Sequence, residues 1–129
     1  MHMLNSNDQA LVQEARALIA RRFKPDYHHI AAALRTRSGQ VFSAVHLEAT
    51  VGRIAVCAEA VAIGMAATAG DTDIDTIVAV DRHGHIVPPC GMCRELISDY
   101  SADCRVILAE DRVVSVRDLL PEKYSRRAE

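Results

Sequence analysis

The chain has no basic run and no arginine-rich stripe, and its formal net charge is −2 with a sequence pI of about 6.3. A DNA- or RNA-binding surface needs a cationic footprint, so a small, weakly charged ligand fits this chain better than a nucleic acid polymer. The N-terminus lacks a charged segment followed by an apolar one. The long apolar stretch from Val51 to Ala69 is broken by Arg53, Glu59 and two glycines. Neither a signal peptide nor a membrane span is expected, and the sequence reads as a soluble, cytoplasmic protein. Its four cysteines could close two disulfides, but without a secretory signal a C-x-x-C pair points to metal or redox chemistry. Internal repeats and low-complexity tracts are absent. At 129 residues, half of them apolar, the chain can bury one ordinary core and not two comfortable ones, so a single domain over residues 1–129 is expected.

After a polar lead, Met1 to Asn7, the residues Ala10, Leu11, Ala15, Leu18 and Ile19 recur at helical spacing, which predicts an amphipathic helix from Asp8 to about Phe23. Pro25 ends it. Ile30 to Arg35 and Gln40 to Leu47 are apolar runs joined by Thr36-Arg37-Ser38-Gly39, the pattern of a hairpin. Val56 to Ala69 is rich in alanine and apolar on nearly all sides, as in a helix buried among other elements. Ile74 to Val80 is an unbroken β-branched run suited to a central strand. A turn at Asp81 to Gly84 and Pro88-Pro89 then lead into a helix from Cys90 to about Tyr100. Strands at Cys104 to Leu108 and Arg112 to Val116 and a short helix to Leu120 complete a mixed sheet layered with helices.

Two short segments carry the chemistry, Cys57-Ala58-Glu59 and Pro89-Cys90-Gly91-Met92-Cys93-Arg94, each where a helix is predicted to begin. Cysteines at C-x-x-C spacing can both reach one tetrahedral metal, and Cys57 offers a third sulfur. Three protein ligands leave one position open, the arrangement of a catalytic zinc. The partial positive charge of a helix N-terminus favours the thiolates that bind metal. Two other readings of the cysteines stand beside this one. Cys90 and Cys93 could form a thiol oxidoreductase site, or Cys104 could close a four-sulfur structural zinc site in a non-catalytic binding protein.

Cys57-x-Glu59 with Pro89-Cys90-x-x-Cys93 resembles the signature of the zinc-dependent base deaminases. From about Tyr27 to Tyr124 the chain resembles the cytidine deaminase family, near its blasticidin S deaminase branch. The resemblance implies a three-layer α-β-α sandwich with a mixed sheet of about five strands, one Zn²⁺ held by Cys57, Cys90 and Cys93, and Glu59 as proton shuttle. It implies hydrolytic deamination of cytidine or deoxycytidine, or of a nucleoside antibiotic such as blasticidin S, by a homotetramer or homodimer. Three thiolates and Zn²⁺ carry one net negative charge, for which Arg94 is the expected counter-charge. Tetrameric cytidine deaminases often add an arginine after the glutamate, where this chain has Ala60, as the blasticidin S branch has an apolar residue.

Substrate contacts follow from the same resemblance. The family's ribose-binding Asn-x-Glu corresponds here to His46-Leu47-Glu48, so Glu48 is kept, and His46 is either a sugar contact or a half-exposed strand histidine. A phenylalanine that stacks on the base falls at His28 or His29, and Ala58 is placed against the substrate. The segment Leu119-Leu120-Pro121 ending in the aromatic Tyr124 corresponds to one that approaches the active site, within its own chain or across a subunit boundary.

Overall fold

The computed structural model describes residues 4–126, so Met1 to Met3 of the polar lead lie outside the described residues, as do 127–129. Helix α1 (Ser6–Arg22) starts with a reciprocal cap: the Asp8 N–H donates to the Asn5 side chain at 2.8 Å, and the Asn5 N–H donates to the Asp8 carboxylate at 3.2 Å. Strands β1 (Ile30–Thr36) and β2 (Val41–Val45) form the expected antiparallel hairpin, with Gly39 at φ +97° in its turn, a conformation that a side chain would strain. Then come α2 (Ala58–Thr68), β3 (Ile74–Asp81), β4 (Ile86–Val87), α3 (Gly91–Tyr100), β5 (Arg105–Ala109) and β6 (Arg112–Ser115). A 3-10 turn, Val116–Leu119, follows β6.

The sheet runs β2-β1-β3-β5-β6, with β4 paired to β3. Only the β3–β5 pair is parallel. That pairing needs a crossover connection, and the segment carrying α3 supplies it. Side-chain alternation then gives the sheet two apolar faces. Ala31, Ala33, Val78, Val80 and Ile107 pack against Leu11, Val12, Ala15 and Ile19 of α1. On the other face Leu34, Ile77 and Val106 pack against Ala62, Ile63 and Ala66 of α2 and Ile97 of α3. The three-layer sandwich and mixed sheet are as the sequence leads one to expect. The addition is β4, whose two residues are too few to show a strand's alternation.

Helix α2 departs from expectation in one respect: it is not buried on all sides. Ala58, Glu59, Ala62, Ile63 and Ala66 are buried at helical spacing, whereas Gly64 and Ala67 face solvent and Met65 is 44% exposed. Alanine and glycine on the outer face make the sequence look apolar all round without requiring burial.

A partly buried ion pair ties α1 to the sheet. Both oxygens of fully buried Asp8 accept from the Arg105 fork at 2.8 Å, and Arg105 also donates to Thr76 Oγ1 at 2.9 Å. Arg35 lies 3.7 Å from Asp8 and 3.3 Å from Asp75. Burial alone would raise the Asp8 pKa, but hydrogen bonds from Arg105 and the Asn5 N–H and the charges of Arg105 and Arg35 hold it below the usual carboxylate range. No helix among the described residues is long and apolar enough to cross a membrane.

Candidate active site

Two helix starts meet above the sheet. Cys57 is the N-cap of α2 and Cys90 that of α3, both in extended conformation, and Cys93 lies in the first turn of α3. The three sulfurs lie within 4.8 Å of one another, and those of Cys57 and Cys90 are 3.7 Å apart. Sulfurs bound to one tetrahedral zinc at about 2.3 Å stand about 3.8 Å apart, so the donor set has the size and chemistry that zinc requires. Among the described residues this is the only such cluster, and Cys104 is not in it. Cys104 is fully buried, and its thiol donates to the Arg105 carbonyl at 3.4 Å. The structure therefore does not bring the fourth cysteine to the three-sulfur cluster.

The thiols differ in their environments. Burial opposes the Cys90 thiolate, but the Cys93 N–H at the start of α3 and the adjacent Cys57 and Cys93 thiols outweigh it, and the pKa falls below the ordinary value. Cys57 is shifted up, mainly by burial. Cys93, deeper in the site, is pushed up strongly by burial and by the Glu59 charge. Glu59, 6% exposed on the first turn of α2, has its pKa raised by burial, although its own N–H and the Cys93 thiol pull the other way. A carboxyl near sulfurs, shielded from water and shifted above its ordinary range, is suited to taking up a proton and passing it on.

A cavity of about 180 Å³ opens beside these groups, lined by Ile30, His46, Cys57, Ala58, Glu59, Val87, Pro88 and Cys90. The His29 N–H donates to His46 Nδ1 at 3.1 Å, so neutral His46 carries its proton on Nε2 and donates it to Glu48 at 3.3 Å. The Ala49 N–H and then the His46 side chain hold the exposed Glu48 carboxyl below its usual range. The structure thus brings Glu59, Cys57, Cys90, Ala58 and His46 to one cavity, with buried Cys93 beside the other two sulfurs and Glu48 behind His46. It does not bring the others there. His28 donates from Nδ1 to the His46 carbonyl at 2.9 Å, and Ile30, not a histidine, supplies the wall on β1. Tyr124, 82% exposed, lies in a cleft with Glu95, Leu96, Asp99 and Tyr100 on the outer side of α3. Arg94 turns to backbone carbonyls, donating from Nε to Pro89 at 2.9 Å and from Nη1 to Leu119 at 3.5 Å.

The profile of the cytidine and deoxycytidylate deaminase zinc-binding region matches residues 5–110 of this chain. The chain belongs to the cytidine and deoxycytidylate deaminase family. Similarity to one relative runs nearly end to end: the chain is 45% identical to the blasticidin-S deaminase of Bacillus cereus, over 95% of this chain and 96% of that protein. It is 30% identical to the cytidine deaminase of Halalkalibacterium halodurans over 74% of this chain and 76% of the relative. The crystal structure of the cytidine deaminase from Mycobacterium tuberculosis shares the fold, with a TM-score of 0.85, 22% identity and coverage of 95% of this chain and 100% of the other.

As a member of this family the chain is a zinc-dependent hydrolytic deaminase, and the thiol-oxidoreductase and non-catalytic readings of its cysteines fall. The deaminase has cavity walls that sequence reasoning missed: Ile30, Val87 and Pro88. The available signal was weak. Pro88 stands two residues before a predicted ligand, and Ile30 opens a predicted strand, but only pairing of β4 onto β3 through Ala79 and Val87 swings Val87 towards Cys57.

Proposed function

We propose that this deaminase, acting as one catalytic domain, removes the amino group of a cytosine nucleoside antibiotic of the blasticidin S kind, taking up water and releasing ammonia. The observation that carries the substrate is the 45% identity to a blasticidin-S deaminase over almost the whole of both chains. Similarity to the cytidine deaminase of Halalkalibacterium halodurans is lower and covers less of each chain. His46 at the ribose-motif position and Ala60 after Glu59 support the same reading.

In this reading Cys57, Cys90 and Cys93 hold the metal. Bound zinc would act as a Lewis acid and lower the pKa of water to roughly 7. Glu59, buried at the start of α2, takes the proton from the attacking water on a carboxylate oxygen. It delivers that proton to the ring nitrogen and assists departure of ammonia, general acid/base work of roughly 10²–10⁴-fold. Ala58, Ile30 and Val87 exclude water from the base. His46, locked as an Nε2–H donor to Glu48, sets that carboxylate to accept from a sugar hydroxyl. This pair also favours a second reading, cytidine or deoxycytidine. The exposed apolar residues Leu47, Val51, Ile54 and Met65 support a homodimer or homotetramer, and the place of Tyr124 outside its own cavity fits a role across a subunit boundary. Four unpaired cysteines suit a reducing, cytoplasmic setting.

Ammonia release by the zinc-loaded protein from blasticidin S, cytidine, deoxycytidine, cytosine and adenosine tests the proposal. The highest kcat/KM is expected for blasticidin S. Preference for cytidine or deoxycytidine moves the assignment to the second reading, and release from adenosine alone removes both.

A further inference from the structure

Arg94 occupies an unexpected place. It stands in the first turn of α3, where the helix dipole disfavours a cation, and the three-sulfur cluster next to it offers negative charge. Charge balance alone would direct its guanidinium at the sulfurs. Instead the partly buried side chain folds back along the helix and spends Nε on the carbonyl of Pro89, the residue before Cys90, at 2.9 Å. Nη1 extends to the carbonyl of Leu119, at the end of the 3-10 turn after β6, at 3.5 Å. The backbone of Arg94 closes the same turn, donating to the Cys90 carbonyl at 2.9 Å. Residues 89 and 90 are therefore gripped by one amino acid through both its main chain and its side chain. Cys90 needs such a grip. It is the most exposed of the three thiols, it precedes the helix, and its own side chain makes no cap bond to α3.

We propose that Arg94 is a positioning residue for the metal site. Its Nε–H fixes the Pro89–Cys90 peptide so that the Cys90 sulfur is held at metal-binding distance from that of Cys57, and its Nη1 anchors this turn to the Leu119 carbonyl. The role rests on hydrogen-bond direction and not on positive charge. Groups that orient metal ligands from behind typically change metal affinity by 10–100-fold when removed. The inference rests on the three-cysteine metal site, and wild-type metal uptake tests that site separately.

Side-chain chemistry separates the two roles. Glutamine places its Nε2 where arginine has Nε, so Arg94→Gln keeps an N–H donor at that point and removes the charge. Arg94→Lys keeps the charge but has carbon there, and Arg94→Met removes both. Metal-free wild type and the three variants are titrated with Co²⁺, following thiolate-to-cobalt charge-transfer and d–d absorption, with competition by a chelator to give affinities. The expected result is wild-type affinity and band shape in Arg94→Gln, with Arg94→Lys and Arg94→Met weakened by 10–100-fold and their d–d bands shifted. Recovery by Lys and not by Gln overturns the proposal in favour of charge balance. Unchanged cobalt binding in all three, or equal weakening in all three, also overturns it, because the restored donor then has no effect. A wild type that takes up no cobalt removes the metal site itself and, with it, any role for Arg94 in positioning a ligand.

Discussion

Replacing Glu59 by glutamine removes one ionisable oxygen from the centre of the site and changes almost nothing in shape. The carboxyl is 6% exposed and its pKa is raised chiefly by burial, so ionising it in the metal-free protein opposes the fold. For an acid with a raised folded-state pKa, the associated stability is present at low pH and is lost as pH rises through that pKa. At neutral pH the metal-free Glu59→Gln protein is therefore expected to melt no lower than wild type. Turnover should behave oppositely. An amide cannot accept the proton from water or return it to the leaving group, so the general acid/base contribution of roughly 10²–10⁴-fold is lost from kcat, about 3–5 kcal/mol on the barrier. Zinc should be retained, because the three sulfurs are untouched. Metal content, melting temperature and ammonia release are measured on one preparation. A folded, zinc-loaded variant with near-normal turnover would refute the proton-shuttle assignment, leaving Glu59 as a buried first-turn residue of α2.

Metal retention should depend on Cys57 and Cys90 and not on Cys104: Cys57→Ser or Cys90→Ser is expected to lose most bound zinc by metal analysis, and Cys104→Ser to keep it. A fall in zinc in the Cys104 variant would contradict the geometry, since that thiol bonds to the Arg105 carbonyl. Asp8→Asn leaves the Arg105 fork without its carboxylate and should destabilise the fold by about 3 kcal/mol, the low end of the range for breaking a buried pair because Arg105 is one-third exposed. Since the Asp8 pKa is depressed on folding, its stabilisation is complete above the ordinary carboxylate range and is lost as pH falls through the folded-state value. Acid melting curves of wild type and Asp8→Asn should therefore converge at low pH, and a constant gap would show that Asp8 is not the titrating group.

The parts of the fold and site that could be read from the sequence are those in which local chemistry suffices. Pro88-Pro89 marked the start of α3 at Cys90, the alanine-rich run from Val56 gave the start of α2 within two residues, and the β-branched run gave β3 within a residue. Side-chain direction was a different matter. Adjacency to Cys93 suggested that Arg94 faces the sulfurs, but residues next to each other on a helix point about 100° apart, and the guanidinium instead reached the carbonyls of Pro89 and Leu119. The alanine-rich pattern of α2 did not distinguish a buried helix from one with a small-residue outer face. Ile30 and Val87 became cavity walls through pairings that span the sheet, and no local spacing encodes those.

Helix α1 begins with a full reciprocal cap at Asn5 and Asp8, whereas Cys57 and Cys90 occupy the N-cap positions of their helices and form no side-chain cap bond. Sulfur is a weak acceptor, so the leading amides of α2 and α3 have a poorer partner than those of α1. Whatever joins the two thiols then adds a restraint on their fraying beyond packing and the Arg94 bonds. Chelating the metal should accelerate hydrogen exchange first at Glu59, Ala60, Met92 and Cys93, with α1 still protected. Loss of the ion would thus be felt as a local loosening of two helix beginnings, 33 residues apart in sequence, before any change in the sheet they rest on.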